Sequence, residues 1–262
     1  MRLLAFIACA TMALVTVPWF EVLAQSDGDF QGIIEGHITN GTIDGNDVGS
    51  VPLSLLVFRR MSQENEIFAQ ADSEGRFRFE DLEVHSDMRY FVQAGHKGVA
   101  YRSPAIQIIP ETPAFTEVTV FDTTTSDADV FIDRASVVFP TIDESIGLIG
   151  VLEVVTFVNQ GDRTYVGDLF EDTINGGAVR ISLPGNALDI NLGHGFGPDG
   201  FAAIPGGVIN KAPLLPGPSE MIYGYAIPYV GTTASLERRY LYTARNVTVL
   251  MPNEIGDFSS QQ

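Results

Sequence analysis

Apolar and polar positions alternate in short runs along most of this chain. In "RFRFEDL", Phe77 and Phe79 fall on one side of an extended segment and Arg76, Arg78 and Glu80 on the other. "TEVTVFDTT" alternates in the same way, and "VPLSLLVFRR" is apolar on both faces, which predicts a central strand. Helical periodicity is almost absent. Turn dipeptides punctuate the runs, among them Asn40-Gly41, Glu74-Gly75, Gly161-Asp162, Gly176-Gly177, Pro184-Gly185 and Pro205-Gly206. Regular turns between short β-rich runs predict an all-β chain of two consecutive β-sandwich domains.

The first block spans residues 30–124. Its strand patterns are "GIIEGHITNGT", "VPLSLLVFRR", "EIFAQAD", "RFRFEDL", "RYFVQAGHKGVAYRS" (strand, turn, strand) and "TEVTVFDTT". The second spans residues 129–252, with strands near "VFIDRASVVFP", "IGVLEVVTFVNQ", "AVRISLPGNALDINL", "EMIYGYAIPYV" and "RRYLYTARNVTVLMP". The Gly/Pro-rich stretch from Gly193 to Ser219 reads as a long loop. The short polar "TTTSDAD" (Thr123 to Asp129) suits a domain boundary. Residues 253–262 read as a polar, frayed tail.

"ADSEGRFRFEDL" (Ala71 to Leu82) crowds four acidic residues and two arginines together. Each residue has a structural task. Asp72 can accept bonds from backbone N–H groups just ahead of it, Gly75 can take the positive φ of a hairpin turn, and Leu82 can return to the core. The stretch therefore reads as a solvated hairpin rather than a reactive site.

The N-terminus changes the picture of where the chain works. Met1-Arg2 precedes an apolar run from Leu3 to Val17, broken at Pro18, with small residues before Gln25. This predicts a secretory signal peptide, residues 1–24, and a secreted or extracytoplasmic product in periplasm or at the cell surface. Removing it removes the single Cys and the single Trp, so the core must stabilise the fold without disulfides. No later apolar stretch is long enough to span a bilayer as a helix. The net charge is −18, and Lys97 and Lys211 are the only lysines. That charge repels phosphate backbones and anionic membranes and excludes nucleic acid as a partner.

The order of motifs in the first block carries a resemblance. "GIIEGHITNGT", "VPLSLLVFRR", "AQADSEGRFRFEDL" and "YFVQAGHKGVAYRS" together resemble the carboxypeptidase regulatory-like family. The D-x-x-G-x-F-x-F-x-x-L element is its most specific part. The resemblance implies a transthyretin-like (prealbumin-like) sandwich and an accessory module with no catalytic residues. It covers roughly 95 residues, and carbohydrate binding enters only as an analogy with the wider fold group. The second block reads as an immunoglobulin-like sandwich.

Candidate chemistry is sparse. "GFGPDG" (Gly195 to Gly200) has dinucleotide-motif spacing but lacks the strand–turn–helix around it. His37, His85, His96 and His194 show no paired spacing, and no serine sits in a nucleophile elbow. Asp122, Asp127, Asp129 and Asp133 lie at the predicted joint. They are either a calcium clamp or a solvated linker; no other cofactor is expected. Tyr223 and Tyr225 share a strand face, and the pattern places Tyr240 and Tyr242 in another strand; exposed, they make a stacking platform, and buried, they are core. Asn40-Gly41-Thr42 and Asn246-Val247-Thr248 match the glycosylation sequon.

These readings predict a non-catalytic binding or structural protein of the cell envelope or exterior. Its partner would be an envelope or extracellular protein, met through sheet edges and the Gly193–Ser219 loop. The first alternative is a carbohydrate-binding accessory module, with a polysaccharide as partner and the four tyrosines exposed. The second is a cryptic hydrolase, with a histidine in reach of a serine and a carboxylate.

Overall fold

The computed structural model describes residues 31–252 except 170, 172–175 and 197–199, together with Ser259. The expected signal peptide lies outside the described residues, as does nearly all of the expected tail. The fold is all-β, and no described helix is long and apolar enough to cross a membrane.

Seven strands build the first core: β1 (Gln31–Asn40), β2 (Pro52–Arg59), β3 (Ser62–Gln70), β4 (Arg76–Glu83), β5 (Met88–His96), β6 (Val99–Arg102) and β7 (Ala114–Val120). They form a three-stranded sheet, β4-β1-β7, and a four-stranded sheet, β3-β2-β5-β6. The inward residues of both sheets share one apolar cluster that includes Ile34, Ile38, Leu55, Phe77, Phe79, Tyr90 and Val92. β1 pairs with β4 antiparallel but with β7 in parallel. As its two apolar faces predict, β2 is central, between β3 and β5.

The opening turn forms as its residues dictate, with one difference. Asp72 Oδ1 accepts the backbone N–H groups of Glu74 (2.9 Å) and Arg76 (2.8 Å), and Gly75 takes φ of 81°. Phe77, Phe79 and Leu82 are buried. Yet the turn closes no hairpin: β3 pairs with β2, and β4 pairs with β1. The turn is a corner between sheets, because register is chosen by whichever partner buries the apolar face. The strand–turn–strand expected in "RYFVQAGHKGVAYRS" does form a hairpin: Lys97 and Gly98 both have positive φ (49° and 79°) and join β5 to β6.

β8 (Thr123–Thr124) lies in the expected linker and pairs with β11 (Thr164–Tyr165). The remaining strands are β9 (Val130–Asp143), β10 (Leu148–Asn159), β12 (Val179–Ser182), β13 (Leu188–Leu192), β14 (Phe201–Ile204), β15 (Gly207–Asn210), β16 (Gly217–Pro228) and β17 (Ala244–Leu250). A five-stranded sheet, β13-β16-β10-β9-β17, and a three-stranded sheet, β12-β15-β14, share a second apolar cluster, including Ile132, Val155, Phe157, Ile181, Val208 and Tyr223.

Two sequence expectations change here. The Gly193–Ser219 stretch is no continuous loop: β14 and β15 pair across Pro205-Gly206, and all four residues of β15 are buried. Two apolar residues between Gly207 and Asn210 are too few to show as a periodic pattern. Tyr240 and Tyr242 belong to no strand; they precede β17 in an irregular segment.

Candidate functional site

Asp122 follows β7 and is 4 % exposed. Its Oδ1 accepts from His96 Nε2 at 2.8 Å and from Asn40 Nδ2 at 3.2 Å. Its Oδ2 accepts from both the backbone N–H (3.3 Å) and the side-chain amide of Asn46. Arg163 Nη1 stands 3.6 Å from the same oxygen. Burial would raise this carboxyl, but the bonds from His96, Asn46 and Asn40 outweigh it and bring the pKa down to about 2. Two donors on each oxygen fill the lone pairs of a carboxylate. The arrangement is an anionic hub rather than a base poised for proton transfer.

The hub reaches the second half of the chain. Asp122 N–H donates to Thr42 Oγ1 (2.9 Å), whose hydroxyl donates to the Asp162 carbonyl (2.8 Å). The Thr164 N–H donates to the Asp122 carbonyl at 2.8 Å, and Tyr101 Oη lies 2.9 Å from Thr164 Oγ1. Val166 is buried within the first apolar cluster. Residues 162–166, which follow β10, are thus laced to the first core.

The second buried charge is Glu153 on β10, 0 % exposed. Oε1 accepts from Tyr225 Oη (2.7 Å) and Arg238 Nε (2.7 Å); Oε2 accepts from Tyr223 Oη (2.9 Å) and Tyr240 Oη (3.3 Å). Arg238 Nη1 also donates to the Ser182 carbonyl at 2.7 Å, and its guanidinium stacks 4.4 Å from the Tyr240 ring centre. Burial first, then the Glu153 charge, pushes the phenols of Tyr223, Tyr225 and Tyr240 well up, so they remain donors. Burial opposes the charge on Arg238, but Tyr223 and Glu153 outweigh it and hold its pKa up. The cavity beside the cluster is about 10 Å³, space for one water.

All four candidate tyrosines gather on the second core. Tyr223 and Tyr225 are buried at 1 % and 4 % exposure, which closes their ring faces. Tyr240 and Tyr242 are half-buried, and Tyr242 packs edge-on against Phe157 at 5.5 Å. The four aspartates do not gather. Asp122 is in its hub, Asp127 and Asp129 are exposed, and Asp133 is half-buried in a bulge of β9. Among the described residues, no three His, Cys, Asp or Glu side chains stand where they could hold a metal ion. Part of "GFGPDG" lies outside the described residues.

Glu153 and Arg238 are the functional-looking pair that the sequence reading missed. Glu153 does carry a signal: it is a lone acid at an inward position between Val151 and Val155. Arg238 carries none. The surface adds a third feature. Phe115 on β7 is 70 % exposed, on the open edge of its sheet. It lines two grooves of about 690 and 680 Å³, one with Pro104, Ile109 and Thr112, the other with Glu35, His37 and Arg78.

No family model matches the chain, and no curated protein matches it. Among solved structures it is similar to the Bacillus anthracis TIE protein, with a TM-score of 0.25 and 10% identity, over 85% of this chain and 34% of that one. The chain therefore spans about a third of the length of that structure.

Proposed function

We propose that the protein is a secreted or cell-envelope, non-catalytic binding and structural module that makes protein–protein contacts. In this reading two β-sandwich domains, residues 30–124 and 129–252, follow a signal peptide, and the first is of the carboxypeptidase regulatory-like type. The observation that carries the binding role is Phe115: a large apolar ring, 70 % exposed, on the unpaired edge of a sheet. An open edge offers backbone groups to an extended partner segment, and the ring and its flanking grooves supply side-chain specificity. The buried charges support the structural half of the reading, since Asp122 and Glu153 are spent on internal hydrogen bonds.

The test uses immobilised protein and Phe115→Ser, exposed to solubilised envelope protein from the source cells. The wild type is expected to retain a defined protein that the variant releases, with both melting alike. Thermal unfolding against soluble polysaccharides, and against calcium with an EDTA control, runs beside it. A ligand at 100 times its Kd adds about 2.7 kcal/mol to the native state, which a melt resolves. A polysaccharide shift in place of protein capture would replace this reading with the carbohydrate-binding one. Capture that survives Phe115→Ser would overturn the role given to the β7 edge.

A further inference from the structure

The outer face of the five-stranded sheet β13-β16-β10-β9-β17 has no layer over it among the described residues. Its inner face, carrying Val151, Val155, Met221 and Tyr225, packs into the second core. The alternate residues therefore point away from that core. Cross-strand register sets them in rows. One row runs Leu250, Val138, Leu152, Gly224, Asn191. The next runs Thr248, Ser136, Val154, Ile222, and the third Asn246, Arg134, Thr156, Glu220. The centre is apolar, with Val138, Leu152, Val154 and Ile222 half-buried, and Leu250 on the edge strand β17 is 51 % exposed.

We propose that this face binds a second copy of the chain, in a two-fold dimer whose axis runs along β10. Such an axis exchanges the β9 side of one copy with the β16 side of the other. Arg134 and Glu220 flank Thr156 from β9 and β16, about 10 Å apart. Neither has an ion-pair partner among the described residues. In the dimer, Arg134 of each copy faces Glu220 of the other, so two opposite charges are paired twice. The same axis sets large side chains over small ones: Val138 over Gly224, and Ile222 over Ser136, while Leu152 and Val154 meet their own copies. The twist of stacked sheets, about 30°, preserves this match near the axis.

Area agrees with this occupant. Five strands at about 4.8 Å spacing make a face about 20 Å wide, and the twelve residues of β10 extend it to about 40 Å. That footprint is about 800 Å², the share each partner gives to an interface of standard size. The inference is independent of Phe115, which lies on the other core.

The experiment is sedimentation equilibrium on the protein purified from expression of the full sequence, with Leu152→Lys, Arg134→Glu, Glu220→Arg and the double charge swap. The wild type is expected as a dimer and Leu152→Lys as a monomer with a native circular dichroism spectrum. Each single swap is expected to raise the dimer Kd by about tenfold or more, because it sets like charges opposite each other twice. The double swap is expected to return it to the wild-type value. A wild type that stays monomeric up to its solubility overturns the proposal. So does a dimer that ignores Leu152→Lys, or one in which the double swap is as weak as the two singles combined.

Discussion

Arg238 and Glu153 stand 85 residues apart in the chain, yet Arg238 Nε lies 2.7 Å from Oε1 and 2.9 Å from Oε2. Glu153 is fully buried and Arg238 nearly so, with side-chain exposures of 0% and 10%. A charge in that position is tolerated only while its partners stay in place. The loop before β17 is held to the sheet by this pair.

Removing one partner strands the other. Arg238→Ala is expected to cost about 3–5 kcal/mol in urea unfolding, and Glu153→Leu a similar amount. The double change Glu153→Leu, Arg238→Met should cost clearly less than the sum, since it leaves no buried charge unpaired. An additive double mutant would show that the pair is not energetically coupled.

Asp122 predicts an acid limb of stability. Its carboxyl is held at about 2, below the ordinary 3.8. A depressed folded-state pKa contributes stability above the unfolded value, and that contribution is lost as pH falls through the folded one. The stability gap between wild type and Asp122→Asn is therefore expected to be constant above about pH 5 and to shrink toward pH 2. Urea midpoints of both proteins across this range check it; a gap independent of pH would contradict the hub.

Gly36 on β1 sits where no side chain fits. An added Cβ would meet the Thr116 carbonyl oxygen at 1.9 Å and Phe77 Cζ at 2.6 Å. Gly36→Ala must push β7 away from β1, at an expected cost of about 3 kcal/mol or more. The neighbouring glycine Gly32 meets only side-chain atoms of Ile108 and Val84. Gly32→Ala is expected to cost less, and melting the two variants side by side tests the order.

Tyr101 ties the two halves of the chain together. Its hydroxyl donates to the Phe121 carbonyl at 2.7 Å and meets Thr164 Oγ1 at 2.9 Å. Tyr101→Phe is expected to lose about 1–2 kcal/mol. Amide exchange should quicken at Thr164, whose N–H donates to Asp122. Unchanged exchange there would mean that the tie is not under strain-bearing load at Tyr101.

Sequence pattern revealed most of the strands because inward and outward positions alternate at a period of two, as in β4 and β7. It failed where a strand is too short to show a period, as in β15 with its two apolar residues, and where an irregular segment is apolar, as around Tyr240 and Tyr242. The turn at Asp72 to Gly75 was legible because its hydrogen bonds are local. Its assignment to a hairpin failed because partner choice is not local.

Taken alone, the sequence determined the all-β class, the charge of −18 and the alternation that sorts Phe77 from Arg78. These depend on residue type and on neighbours a few positions away. Tertiary structure alone decided that β3 and β4 join different sheets, that Asp122 meets His96, and that Glu153 meets Arg238. Each of these links positions whose spacing carries no signal: the sheet choice follows from which partner buries the apolar face, and the two polar contacts exist because a buried polar group must find a partner wherever the fold brings one within reach.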